Sequence, residues 1–170
     1  MLEIRTATKA DSAEIWRIIK EVLSTGDTYT FAPDSTEEEM LAFWFSPEKF
    51  TYVGVWREGS GDENPNGKIV GTFFLKANQP ALGAHVCNAG YMVASDAKGM
   101  RVGRTMAEWS LDEARRLGFY SMQFNFVVKS NEVAVRLWQQ LGFEIIGEIP
   151  EAFQHKENGL TNAYIMYRKL

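Results

Sequence analysis

Apolar positions recur along this chain with two periods, and the alternation between them sets out the elements. Leu2 and Ile4 alternate with polar residues up to Thr6, which predicts an opening strand over 2–6. Ile15, Ile18, Ile19 and Val22 then fall on one helical face. They predict a helix over 12–22, capped by Asp11 with Glu14 completing a capping box. A loop over 24–34 is small and polar apart from Tyr29 and Phe31, two aromatics that suit either a substrate lid or an ordinary helix connection. Ser35 or Asp34 caps a second helix running to Phe45. The period returns to two over 50–56 and 68–75, joined by a long tip over 57–67 that carries Gly59, Gly61, Pro65 and Gly67. A strand over 85–93 precedes a helix over 99–117, where Val102, Met106, Ser110, Ala114 and Leu117 share a face and Gly118 ends the run. A strand over 121–128, a helix over 131–141 closed by Gly142, and strands over 143–149 and 162–167 complete the chain. The order β-α-α-β-β-β-α-β-α-β-β shows no repeat or linker. It predicts one α/β domain over 1–170, a mixed sheet with helices on both faces.

Composition narrows the function classes. With 170 residues and 45% apolar content there is material for one substantial core. Eighteen Lys and Arg against 22 Asp and Glu leave a net charge of −4, so no global positive field would gather nucleic acid or an anionic membrane. The single cysteine, Cys87, cannot form an internal disulfide and reads as a packed strand residue. No Cys and His spacing suggests a metal site, and no apolar run reaches the ~18 residues of a membrane span. The expectation is a cytoplasmic protein with no metal, membrane anchor or nucleic-acid partner.

The stretch Val93-Ala94-Ser95-Asp96-Ala97-Lys98-Gly99-Met100-Arg101-Val102-Gly103-Arg104 stands where a strand passes into an amphipathic helix. First-turn N–H groups lack internal acceptors and sit at the positive end of the helix dipole, so such a turn can grip a pyrophosphate. Lys98, Arg101 and Arg104 add local positive charge. Taken alone, the stretch equally suits a glycine-containing turn with solvated basic side chains.

A second element, Asn131-Glu132-Val133-Ala134-Val135-Arg136-Leu137-Trp138-Gln139-Gln140-Leu141-Gly142-Phe143, follows the next strand. Together the two resemble the GNAT superfamily of acyl-CoA-dependent N-acyltransferases. The first matches Arg/Gln-x-x-Gly-x-Gly/Ala with Lys98 in first place, Arg101 where glycine is usual, and Gly103 in agreement. The second matches Asn-x-x-Ala-x-x-Leu-Tyr-x-x-x-Gly-Phe, with Trp138 replacing the tyrosine. The resemblance implies direct acetyl transfer from acetyl-CoA to an amine in a ternary complex, within an opening between splayed fourth and fifth strands. It further implies that the main chain of Tyr91, Met92 and Val93 pairs with the pantetheine arm, with a bulge at Gly90 and one N–H polarising the thioester carbonyl. Lys98, Gly99, Met100, Arg101, Val102, Gly103, Arg104 and Thr105 would surround the pyrophosphate, and Asn131 would reach the pantetheine. With tryptophan at 138, the proton for the leaving thiolate would come from Tyr91 or water, or none would be supplied.

Asparagine is poor in strand interiors, and Asn88 and Asn125 stand there in apolar surroundings. The stretches 85–93 and 122–127 resemble the GNAT branch that acetylates proline analogues such as azetidine-2-carboxylate in yeasts. That resemblance extends to 142–144 and 153–155. It implies that Asn88 and Asn125, with Tyr29 and Phe31 as a lid, hold a small zwitterion, and that Asn125, Tyr91 and Asn131 lie at the reacting groups. Other amines, such as an antibiotic, a polyamine or a protein N-terminus, remain alternatives, as does a silent acetyl-CoA sensor. His85 and His155 are base candidates of lower weight than a water relay. Trp16, Trp44, Trp56 and Trp109 read as core or interface residues, and the resemblance leaves room for a homodimer.

Overall fold

A computed structural model describes residues 1–57 and 67–170. Most of the predicted hairpin tip, with Gly59, Gly61 and Pro65, lies outside the described residues. The elements follow the predicted order: β1 Leu2–Thr6, α1 Ser12–Thr25, α2 Glu37–Trp44, β2 Phe50–Trp56, β3 Lys68–Ala77, β4 Val86–Val93, α3 Val102–Arg116, β5 Ser121–Val128, α4 Glu132–Gln140, β6 Glu144–His155 and β7 Gly159–Lys169. The seven strands form one sheet in the order β1-β2-β3-β4-β5-β7-β6. Neighbours are antiparallel except β4 and β5, which run parallel.

Alternation along the strands sends side chains to two layers. Phe74 meets Phe43 and Trp44, both on α2, on one face. On the other, Phe73 meets Tyr52, Tyr91 and Trp109, the last on α3. α3 lies close because Gly71 faces it: a Cβ there would come within 2.8 Å of the Met106 sulfur. Trp44 is fully buried and donates its indole N–H to Thr72 Oγ1 at 2.9 Å. Trp16, Trp56 and Trp109 pack half-buried against the core, as expected.

Several boundaries differ from expectation. The capping box before α1 is built by Thr8 and Asp11, not by Asp11 and Glu14. Asp11 accepts the Thr8 N–H at 2.7 Å and a two-pronged Arg5 contact at 2.8 Å, which occupies its carboxylate. Glu14 instead pairs with Arg17. Helix α1 runs on to Thr25, and its fully buried face ends with Leu23, Val22 being half-buried. Thr36, rather than Ser35 or Asp34, caps α2, because Glu39 three residues on accepts the Thr36 N–H. Helix α3 starts at Val102, since Gly99 and Arg101 take left-handed backbone that cannot begin a helix. β6 continues to His155 as an edge strand, paired with β7 on either side of register shifts at Ile145/Gly147 and Ile149/Phe153.

The Arg5 contact and the Thr8 hydrogen bonds hold the Asp11 carboxyl well below its ordinary range, at about 2. A depressed acid contributes stability above its unfolded pKa and loses it as pH falls through the folded one. Asp11→Asn should therefore cost about 1–2 kcal/mol at neutral pH, part of the Arg5 contact being screened by solvent. In thermal melts, the gap from wild type should close between about pH 4 and pH 2.

Candidate active site

The sheet opens where the sequence places the cleft. β4 and β5 pair only at Val86↔Ser121 and Cys87↔Met122, and from Asn88 onward the strands diverge. Asn78 N–H donates to the Val86 carbonyl and Ala94 N–H to the Val70 carbonyl, with unbroken register between them. Even-numbered residues of β4 therefore bond to β3, and Ala89, Tyr91 and Val93 turn their main chains to the gap. Met92 is thus excluded from main-chain pairing in the gap: its ladder partner is Thr72 and its side chain is buried. Among the described residues, the Tyr91 and Val93 N–H groups have no hydrogen-bond partner, and they face the space a pantetheine arm would need. The unbroken register also means that β4 has no bulge against β3 at Gly90. Glycine stands there because a Cβ would come within 2.8 Å of the Phe74 ring and 3.3 Å of the Tyr29 hydroxyl.

The bulge is on β5. Phe124 pairs with Met166 and Val127 with Tyr164, so β5 spends one residue more than β7 at Asn125 and Phe126. Sequence reading gave no signal for it.

Below the gap, Arg101 stands at φ +60° before Val102, at the motif position where the family pattern carries glycine. A side chain in this left-handed region costs roughly 1–2 kcal/mol. Thr105 N–H is the first to bond within the helix, to the Arg101 carbonyl at 3.0 Å. The N–H groups of Val102, Gly103 and Arg104 are left without an acceptor in the helix, and no side chain caps it. A Cβ at Gly103 would meet only Val93 Cγ2, at 3.6 Å, so the protein's own packing does not require glycine there. Lys98 and Arg101 are exposed and carry no ion pair among the described residues, whereas Arg104 is held by Glu108 and Gln140. Open amides, unpaired cations and an unfilled approach fit a diphosphate.

A cleft of about 280 Å³ lies in the gap, and its walls bring together Tyr29, Phe31, Asn88, Asn125, Asn131 and Trp138. The two loop aromatics are wall residues rather than free ones. Tyr29 donates its hydroxyl to the Tyr91 carbonyl at 2.8 Å, and Phe31 packs edge-on against Phe43. Burial raises the Tyr29 phenol pKa well above its ordinary value.

Tyr91 contributes main chain, not an acid. Ser110 donates its proton to the Ala107 carbonyl, so the 2.7 Å contact between Tyr91 and Ser110 is a bond donated by the phenol. That phenol is buried among Phe73, Phe124 and Trp138, and desolvation raises its pKa further from neutrality. Trp138 packs with Tyr91, Phe124 and Phe143, and its indole is no proton donor to a thiolate. Cys87 is buried with its pKa pushed up to about 12, which rules it out as a nucleophile at neutral pH. His85 is exposed at the start of β4, facing Tyr120. His155 lines a second cavity of about 590 Å³ beyond the Tyr29 loop.

The three asparagines are oriented alike. Asn88 Oδ1 accepts the Ala89 N–H at 2.7 Å, Asn131 Oδ1 accepts the Ala134 N–H at 3.3 Å as the cap of α4, and Asn125 Oδ1 accepts from Gln123 at 2.9 Å. Each side-chain oxygen accepts a bond within the protein, and Asn125 Nδ2 also donates to Asn78 Oδ1, so among the described residues both N–H groups of Asn88 and Asn131 and one of Asn125 are left without a partner.

Comparison with known proteins agrees with this geometry. The model of the acetyltransferase (GNAT) family matches residues 16–143, three quarters of the chain. The chain belongs to the GNAT family. Its relatives include the N-acetyltransferase aca1 of Schizosaccharomyces pombe, 37% identical over an alignment of 154 residues that covers 84% of this chain and 72% of the relative. A GCN5-related N-acetyltransferase from Kribbella flavida superposes with a TM-score of 0.89 at 39% identity, covering 99% of this chain and 98% of that one. The structure of yncA from Salmonella typhimurium, solved with its cofactor acetyl-CoA, has the same fold, with a TM-score of 0.82 at 21% identity over 100% and 94% of the two chains. This GNAT chain is accordingly an N-acetyltransferase. Among the described residues there is no helix long and apolar enough to cross a membrane and no cluster of potential metal ligands.

Proposed function

We propose that this GNAT enzyme acetylates the amine of a small zwitterionic amino acid, a cyclic proline analogue being the best fit. Acetyl-CoA supplies the acetyl group as an activated thioester. The N–H groups of Val102, Gly103 and Arg104, with Lys98 and Arg101, hold the diphosphate end, and Tyr91 and Val93 present main-chain donors to the arm and the thioester oxygen.

The observation that carries the acceptor assignment is the orientation of the amides. A site meant for a cationic amine would offer carboxylates; this cleft offers the NH₂ groups of Asn88 and Asn131 and one N–H of Asn125 between aromatic walls. Neutral donors suit a carboxylate whose molecule also carries a positive nitrogen, because they bind one end without repelling the other. The aromatic walls suit a compact apolar ring.

Asn88→Asp tests this reading. The new carboxylate can keep the bond from Ala89 N–H, so the local structure is preserved while two donors become one negative charge. With azetidine-2-carboxylate as acceptor, KM should rise about 10–100-fold. With azetidine, the same ring without its carboxylate, KM should not rise, and KM for acetyl-CoA should hold in both cases. An equal rise for both rings would contradict carboxylate recognition. Acetyl-CoA binding with no CoA released from either ring by the wild type would remove the proposed acceptor class.

A further inference from the structure

We infer that Asn78, at the far end of the sheet gap and outside the cleft wall, is a positioning residue that sets acceptor specificity by fixing the amide of Asn125. The inference deepens the zwitterion reading and rests on it.

Asn125 stands where its own strand ceases to fix it. Rungs between β5 and β7 hold Phe124 and Val127, and the extra residue of the bulge falls between them. The backbone there is released from the ladder, and a bulged side chain takes its aim from side-chain partners. Asn125 has two, one bonded to its oxygen and one to its nitrogen, with the Gln123 and Asn78 amides set accordingly. Gln123 Nε2 donates to Asn125 Oδ1 at 2.9 Å, and Asn125 Nδ2 donates to Asn78 Oδ1 at 2.6 Å. Rotating the amide by half a turn would set donor against donor at Gln123 and acceptor against acceptor at Asn78. One N–H of Asn125 is thereby committed to Asn78, and the other remains for a ligand.

Asn78 is well placed for the task. It directly follows β3, and its main-chain N–H donates to the Val86 carbonyl at 2.8 Å. That bond extends the β3–β4 ladder and anchors the residue to the same part of β4 where the pairing with β5 stops. The Asn78 side chain then reaches past β4 to β5 and bridges the two sides of the opening. Gln123 alone would not hold the amide as firmly, because it lies two residues away on the same strand and moves with it.

Asn78→Ala removes the bridge and leaves every cleft residue in place. For azetidine-2-carboxylate, KM should rise about five- to tenfold with kcat nearly unchanged. KM for azetidine, KM for acetyl-CoA and the melting temperature should hold. The double variant with Asn125→Ala should be no worse than Asn125→Ala alone, since Asn78 acts through that amide. Asn78→Ala matching wild type while Asn125→Ala loses the carboxylate-bearing acceptor would overturn the inference, as would additive losses in the double variant. If Asn125→Ala also matches wild type with that acceptor, Asn125 is not holding the carboxylate and Asn78 has no amide to act through. Failure of the wild type to use either ring would instead overturn the acceptor reading on which it rests.

Discussion

From about pH 6 to pH 9, kcat/KM for a cyclic amino-acid acceptor is expected to climb about tenfold per pH unit, close to a thousandfold in all. The break should follow the acceptor's amine and not the enzyme. An amine must be neutral to attack a thioester, and among the described residues the cleft wall holds no carboxylate, imidazole or amine to take its proton. Its ionisable side chains are Tyr29 and Tyr91, whose protons go to the Tyr91 carbonyl and to Ser110. Burial raises both pKa values, so neither becomes a phenolate near neutrality. The surrounding elements offer no closer base. Lys49, whose pKa burial lowers to about 8, lies over the Phe43 ring and donates to the Phe43 carbonyl and Ser46, and it is not among the residues that line the cleft. His155 spends Nδ1 on the N–H groups of Glu157 and Asn158, and it lines the second cavity with Lys156. Lys98, Arg101 and Arg104 lie at the turn proposed to hold the diphosphate. The proton therefore leaves through water, and a less basic acceptor should reach its plateau at a correspondingly lower pH. A plateau near pH 7 shared by acceptors of different basicity would reveal an enzymic base and contradict the assignment.

The second large effect concerns the donor. Gly103→Glu should raise KM for acetyl-CoA at least about 100-fold, because a carboxylate in the first turn competes for the free amides and repels the diphosphate. The same change replaces a helix glycine and places an acidic residue at the helix N-terminus, each worth up to about 1 kcal/mol of stability. The variant should thus melt as high as wild type, or a few degrees higher. Acetyl-pantetheine, which lacks the diphosphate, should keep its KM. A joint loss with both donors would show that the turn serves the arm or the overall structure, not the diphosphate.

Why the cleft was readable from sequence while its detailed aim was not follows from where each signal originates. Strand and helix periods, Gly118 and Gly142 are local, and they located every element. The open amides of Val102, Gly103 and Arg104 are local too, arising where a glycine-bearing turn leads from a strand into a helix. Caps were less legible because several Ser, Thr and Asp residues competed, and long-range chemistry chose among them. Arg5 took the Asp11 carboxylate from another element, leaving α1 without the expected box. The predicted strand stops at Ile149, before Pro150, yet pairing with β7 resumes at Phe153 after a register shift and carries β6 to His155. Gly90 invites a bulge on sequence grounds, but its reason is the Phe74 ring from the neighbouring strand. The true irregularity at Asn125 leaves no compositional trace, and the Asn78 bridge spans 47 positions of chain.

The central claim is that the β4–β5 gap and the turn before α3 together receive acetyl-CoA. Backbone amide resonances of ¹⁵N-labelled protein, followed as acetyl-CoA is added, test it residue by residue. The largest shifts should fall on Tyr91, Val93, Val102, Gly103 and Arg104, with residues 152–156 of the second cavity nearly still. Shifts concentrated in 152–156, with Val93 and Gly103 unmoved, would contradict it.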